Sequence, residues 1–252
     1  MNDLLFYTAG ASPALAIAAG LLARKGCNIT ATPKSGVTHL LLPVPSFEKD
    51  GTLKGGSGLA QVLSPLPGDI TIIGGNLNDP LLSTYTTIDL LQDELYLAEN
   101  AAITAHCAIK QALCRLPATM HGCQVLVIGW GRIGKCLADL LKNMGARVTV
   151  AARKETDRAI LRALGYATAD TAKLGHDLIR FRVIFNTVPC PVLNRKQVSY
   201  CRKGCLMIDL ASKLGIEAED VIWARGLPGK DAPETSGDLI ARTVIRLTAK
   251  KE

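Results

Sequence analysis

The chain has 252 residues, of which 48% are hydrophobic, 20% charged and 4% aromatic, the profile of a globular protein with two compact lobes or one large α/β domain. The net charge is +7, but the basic residues are scattered in short groups such as Arg24-Lys25, Arg153-Lys154 and Lys250-Lys251, with no stripe interleaved with aromatics, so nucleic-acid binding is not expected. No uncharged apolar run is long enough to span a bilayer and no signal peptide is evident, so a cytoplasmic protein without membrane association is expected.

In chain order, residues 3–8 read as a short apolar strand ending in Thr8-Ala9-Gly10. Ser12 and Pro13 open a helix rich in alanine and leucine that reaches Arg24 and is stopped by Gly26. Residues 28–32 and 39–42 read as further strands. Residues 43–58, with two prolines, four glycines and two lysines, read as a mobile loop. Residues 70–73 form another strand, followed by Gly74-Gly75-Asn76. Helical periodicity from Asp93 to Leu116 then predicts a long helix linking two lobes.

The second lobe repeats a β/α rhythm. Strands are expected at 125–128, 147–151, 183–186, 205–209 and 221–224. Helices are expected at 132–144, 155–164, 171–180 and 194–200, with a closing helix at 236–248. The alternation predicts an α/β fold: a doubly wound Rossmann-type parallel sheet plus a smaller, flavodoxin-like N-terminal α/β lobe. The expected division is an N-terminal lobe over 1–92, a linking helix over 93–118 and a dinucleotide-binding domain over 119–235. The helix in 236–252 is expected to pack back on the first lobe. Eight cysteines show neither C-x-x-C pairs nor histidines at zinc-ligand spacing, so they read as reduced, mostly buried thiols, and no metal site is expected.

Chemistry is signalled most clearly by Val-Leu-Val-Ile-Gly-Trp-Gly-Arg-Ile-Gly at 125–134. Gly129, Gly131 and Gly134 give G-x-G-x-x-G between a buried strand and an amphipathic helix. The first glycine allows the tight turn, the second lets a pyrophosphate approach the backbone, and the third lets helix and strand pack closely. Backbone N–H groups of Gly129, Trp130, Gly131, Arg132 and Ile133, with the positive helix end, would hold the diphosphate. The next strand ends in Ala151-Ala152-Arg153-Lys154 with no carboxylate for a ribose 2′-hydroxyl. Arg153 and Lys154 suit a 2′-phosphate, so NADP(H) is preferred, with NAD(H) as the alternative.

Three more segments follow strands at the edge where open α/β sheets bind ligands. They are Asn186-Thr187-Val188-Pro189, Asp209-Leu210-Ala211-Ser212-Lys213, and Gly226-Leu227-Pro228-Gly229-Lys230. Together with Met120-His121-Gly122 and Leu40-Leu41-Leu42-Pro43-Val44, they resemble the A-subunit family of dipicolinate synthase. The likeness covers most of residues 70–248 well and the first 60 loosely. It implies a two-domain NAD(P)-dependent dehydrogenase that oxidises a dihydrodipicolinate-level precursor to pyridine-2,6-dicarboxylate during spore formation. It also implies a flavoprotein-like B-subunit partner in a homo- or hetero-oligomer. The chain departs from the family pattern in a short loop after Lys213, and in Thr104-Ala105-His106-Cys107, where the family has a carboxylate in place of the histidine.

On this reading Thr187, Val188 and Pro189 line the nicotinamide ribose, and Asp209 and Ala211 border the ring. Ser212 and Lys213, with Asn100, Thr104, Pro228 and Gly229, face a small dicarboxylate substrate. His106 is the candidate base, since an imidazole titrates near neutral pH, whereas His121 reads as structural. Two other readings stand beside this one: a two-lobe reductase of the shikimate dehydrogenase type, and a non-catalytic cofactor-binding subunit with a regulatory or assembly role.

Overall fold

Short apolar runs separated by helices have one economical solution, a parallel sheet whose crossovers cover its faces. The computed structural model describes residues 4–56 and 58–249 and contains two such sheets. Asp3, taken above as a strand residue, and the Lys250-Lys251 pair lie outside the described residues. The chain divides into one unit made of residues up to Asn100 and from Pro228 onward, and a second spanning Ala101–Leu227.

In the first unit, β1 (Leu5–Thr8) leads through α1 (Pro13–Arg24) to β2 (Asn28–Thr30) and β3 (His39–Leu41). After α2 (Leu59–Leu63) come β4 (Thr71–Gly74), β5 (Thr86–Asp89) and the start of α3 (Glu94–Leu113). The strands are all parallel in the order β2-β1-β3-β4-β5, the flavodoxin-like arrangement. Pro13 sits in the first turn of α1, where its missing N–H costs nothing, and Gly26 leaves the helix at φ +86.

Ser57 lies outside the described residues, and the rest of 43–58 differs from the mobile loop expected of its composition. Ser46 and Leu53 are fully buried. The Ser46 hydroxyl donates to Pro43 O at 2.8 Å and accepts from Gly75 N at 3.0 Å, and Ala11 N donates to Lys54 O at 2.7 Å. Glycines and prolines mark the turns of this segment, and its partners come from the loops after β1 and β4.

The second unit runs β6 (Gln124–Ile128), α4 (Arg132–Asn143), β7 (Arg147–Ala152), α5 (Glu155–Ala163), β8 (Ala167–Asp170), β9 (Val183–Asn186), α6 (Arg195–Val198), β10 (Leu206–Asp209) and β11 (Ile222–Trp223). The sheet is parallel in the order β11-β10-β9-β6-β7-β8, which is the doubly wound dinucleotide-binding order counted from its far edge. Strands β6 and β9 are buried on both faces, as their unbroken apolar runs require.

The helix expected over 171–180 is instead two 3-10 turns, Thr171–Lys173 and His176–Arg180. Leu174 between them is extended and Gly175 sits at φ −157, so the helical path is broken there. Strands β5 and β8 were not foreseen. Both are sheet edges, where one paired neighbour suffices and the apolar pattern is weak. Helix α6 is shorter than its pattern and is held by a reciprocal cap between Asn194 and Gln197.

After β11 the chain forms α7 (Leu227–Asp231), in a segment expected to be loop, and α8 (Pro233–Thr248). Helix α8 packs against α1, and both belong to the first unit. The close approach depends on Gly237, where an added Cβ would meet Ile17 Cγ2 at 2.7 Å and the Ala14 carbonyl at 2.8 Å. Arg242–Glu99 (2.9 Å) and Arg246–Asp93 (2.6 Å) ion pairs tie α8 to α3 and to the residue before it. Replacing Gly237 with Val is expected to destabilise the first unit by about 2 kcal/mol, because overpacking against backbone outweighs the gain in helix propensity. A lowered urea midpoint would register this, and an unchanged midpoint would show that the two helices are free to separate.

Candidate functional site

The sheet of the second unit changes winding direction between β6 and β9, and the glycine turn leaves β6 at that point. Gly129 has φ +110, a conformation that disfavours a side chain, and an added Cβ there would strike the Thr187 hydroxyl and Val188 Cγ2. A Cβ on Gly134 would strike the Gly129 carbonyl oxygen. Gly131 is different. It caps α4 at φ −81 without a side-chain cap, and a Cβ there would meet nothing within 4 Å. The fold therefore requires glycine at 129 and 134, whereas at 131 the space beside the helix N-terminus is left clear. That open space over free-ended backbone fits a diphosphate group.

Thr187 closes the other side of the crevice. Its N–H and its hydroxyl both donate to Ile128 O, at 2.9 and 3.0 Å. Val188 is half-buried beside it and Pro189 is exposed. Trp130, expected among the cofactor contacts, packs its ring edge-on against Tyr166 at 6.0 Å, with Lys135 Nζ 5.8 Å from the indole centroid. Its side chain is thus engaged with residues outside the turn, leaving its backbone as the part that belongs to the turn. Arg132 is exposed and Ile133 half-buried in the first turn of α4.

At the end of β7 the side chains of Arg153 and Lys154 are exposed. The turn carrying them is held by Arg158, which the sequence did not single out. Its guanidinium, 13% exposed, donates to Ala152 O at 2.7 Å and Arg153 O at 2.9 Å, and pairs with Glu155 at 2.6 Å and Asp170 at 3.4 Å. Hydrogen bonds from Arg162 and Arg158 hold the Glu155 carboxyl below the ordinary glutamate range. An arginine one turn into a helix after a strand carries no local signal that it will bond back to the strand's end.

Asp209 and Asn186 are both 0% exposed. The Asp209 carboxylate accepts from Ala211 N (3.0 Å), Gly215 N (2.8 Å) and Asn186 Nδ2 (2.9 Å). Asn186 in turn donates to Val188 O at 3.0 Å and accepts from Val188 N at 2.9 Å. Gly215 lies so close to this network that a Cβ would strike Cys190 O and Asn186 Nδ2. Asp209, expected to border the nicotinamide ring, is fully buried and binds the 186–190 and 209–215 loops together. Ala211 is buried, its N–H taken by Asp209 and its carbonyl by Trp223 Nε1 at 2.9 Å. The short loop after Lys213 is therefore a tight, internally bonded one. Ser212 and Lys213 project from it, exposed.

Helix α3 does not present its three candidates together. Asn100 and Thr104 are four residues apart and share a stripe, Thr104 being 7% exposed. His106 follows Thr104 by two positions, about 200° around the helix, and is exposed. One ligand cannot meet both faces, so His106 and the Asn100–Thr104 stripe do not form one site. His121 lies beside Gly145 at the amino end of β6, across the sheet from the glycine turn. Pro228 and Gly229 fall in the first unit, on α7, where a Cβ on Gly229 would touch Ser12 Oγ at 4.0 Å.

All eight cysteines are free thiols, four of them buried. Among the described residues no group of three or more His, Cys, Asp or Glu could hold a metal ion, and no helix is long and apolar enough to cross a membrane.

Residues 109–222 match the family described as D-isomer specific 2-hydroxyacid dehydrogenase, NAD binding domain. The chain is 28% identical over 246 residues to the A subunit of dipicolinate synthase from Bacillus subtilis, a likeness covering 89% of this chain and 82% of that protein. The crystal structure of the dipicolinate synthase A subunit from Bacillus halodurans superposes with a TM-score of 0.86 at 23% identity, covering 99% of each chain. The transhydrogenase from Sinorhizobium meliloti shares the fold at a TM-score of 0.73 and 14% identity, over 97% of this chain and 92% of that one. Residues 109–222 are thus similar to 2-hydroxyacid dehydrogenase NAD-binding domains, and along most of its length the chain resembles the A subunit of dipicolinate synthase.

Proposed function

We propose that the protein is an NADP(H)-dependent oxidoreductase that converts a dihydrodipicolinate-level precursor to pyridine-2,6-dicarboxylate in spore formation, working with a B-type partner. The observation that carries the reading is the glycine turn at the β6/β9 switch point, with open space beside Gly131 and Thr187 locked across it. The likeness to the A subunit of dipicolinate synthase supplies the substrate class and the partner.

A nicotinamide cofactor bound at this turn supplies hydride acceptance. The backbone of Gly129–Ile133 holds the diphosphate. Thr187 and Val188 border the crevice, and the Asp209–Asn186 network keeps its loops in place. Aromatising a dihydropyridine ring also releases a proton. The chain must therefore offer a proton acceptor as well as cations for two carboxylates. Lys213 and Ser212 are the exposed polar groups at the carboxyl edge that suit the carboxylates, and His106 is retained as the proton acceptor to be tested.

Titration of the protein with NADPH and NADH, followed by an assay of pyridine-dicarboxylate formation with and without the B-type partner, tests the proposal. Saturable NADPH binding and product formation by the pair are expected. Absence of binding would remove the oxidoreductase reading; binding without product would remove the substrate assignment.

Cofactor preference has its own test. Arg153 and Lys154 stand exposed on a turn fixed by Arg158. Replacing both with Ala is expected to weaken NADPH binding by about tenfold or more, the worth of a charge-assisted phosphate contact, and to leave NADH binding unchanged. Equal loss for both nucleotides would argue against a 2′-phosphate site.

A further inference from the structure

The amino edge of the second sheet, opposite the glycine turn, contains an unassigned cavity. The connection from β8 to β9 is two 3-10 turns in place of a helix, and beside the second of these, at the starts of β6, β7 and β8, lies a space of about 400 Å³. That volume falls within the range of small-molecule sites. Its polar walls are Gln124, Lys142, Arg147, Thr149, Tyr166 and Arg180, and no carboxylate lines it.

The cations are arranged unequally. Lys142 Nζ is fixed at the rim, donating to Leu164 O at 2.8 Å and lying 4.6 Å from the Tyr166 ring centroid. Arg180 lies over the Phe181 ring at 4.8 Å. Neither Arg147 nor Arg180 forms an ion pair among the described residues, so both guanidinium forks remain available. After burial, Asp139 is the second influence raising the Tyr166 phenol, and it stays outside the lining.

The second observation is Thr149. It is 2% exposed in the middle of the sheet and lines the cavity, bringing a hydroxyl among the cations. A hydroxyl at that place offers a hydrogen-bond donor to an oxyanion held beside the arginine forks.

We infer that this cavity binds a small organic anion carrying two or more negative charges, with Arg147 and Arg180 gripping the charged groups and Thr149 donating from the floor. The site lies within the second unit and is independent of the proposed reaction. Dicarboxylates and phosphate esters present the same chemistry to an arginine fork.

Amide NMR spectra of the whole chain, titrated separately with glutarate, glycerol 3-phosphate and uncharged glycerol, test the inference. At least one of the two anions is expected to produce saturable shifts at Gln124, at 147–149 and at 165–167, with none from glycerol. The stronger anion identifies the source. In an Arg147→Gln/Arg180→Gln variant with an otherwise unchanged spectrum, binding is expected to weaken about tenfold or more. Thr149→Val, close in shape, is expected to weaken it by a smaller factor. Absence of shifts with both anions would overturn the inference, as would shifts confined to residues 129–135 or equal affinity in the arginine variant.

Discussion

Replacing Gly131 with Asp is expected to abolish nicotinamide-nucleotide binding while leaving the fold as stable as before, or slightly more so. The two effects have separate causes. At φ −81 and ψ −169 the backbone of Gly131 suits any residue, and a Cβ would meet no atom within 4 Å. Position 131 is also the N-cap of α4, which has no side-chain cap, and an aspartate there would contribute about 1 kcal/mol by accepting from the first free N–H groups. The same carboxylate would occupy the diphosphate's place and repel it. Two like charges about 4 Å apart at a partly screened surface cost about 4 kcal/mol, on the order of a thousandfold in dissociation constant. A nucleotide titration beside a urea curve reads both effects. Normal binding by this variant would refute the diphosphate assignment, because misfolding could not be blamed. Gly134→Ala is the informative contrast. Its Cβ would run into the Gly129 carbonyl, so stability and binding should fall together.

Asp209→Ala is expected to be the most destabilising single change in the second unit, at about 3 kcal/mol or more. Three buried donors, from Ala211, Gly215 and Asn186, converge on this carboxylate. Each orphaned donor costs about 1–3 kcal/mol, and relief of the buried charge offsets part of the sum. Asp209→Asn retains the shape and one acceptor oxygen but sets an amide N–H against a donor. It should lose less, and it provides a measurable protein if the alanine variant does not fold. Because Asn186 shares the network, a double-mutant cycle between positions 186 and 209 should show a coupling above about 0.5 kcal/mol. Additive losses would mean that the two side chains act separately. Nucleotide binding should weaken in the asparagine variant too, since the 186–190 loop borders the crevice and is shaped by this pair.

The two kinds of glycine in the G-x-G-x-x-G turn show how far local reading reaches. The pattern alone placed a strand, a turn and a helix at 125–144, and the structure contains β6, the turn and α4 there, within one residue at each end. Local patterns also gave most of the β and α elements in both units, though not α2, β5, β8 or α7, because side-chain periodicity, helix caps and positive-φ glycines are demands that a segment makes on its own backbone. Segments whose form depends on distant partners were misread. Residues 43–58 look like a free loop until Ala11 and Gly75 are seen to bond to them. The 171–180 stretch has a helical composition, but its backbone is broken at Leu174 and Gly175.

The candidate site divides along the same line. The G-x-G-x-x-G turn, the missing carboxylate after β7 and the polar residues at the carboxyl edge were all legible in the amino-acid order, because each depends on residues within a few positions of one another. The role of Asp209 was not. Its partner Asn186 is 23 residues away, and Thr187 bonds to a carbonyl 59 residues before it. Arg158, the opposite faces of α3 and the cation-lined cavity at the amino edge likewise emerged only once the chain was folded. A backbone's shape is set largely by its neighbours in sequence, whereas a buried side chain's partners are set by which strands the sheet places side by side, and that order is a property of the whole fold.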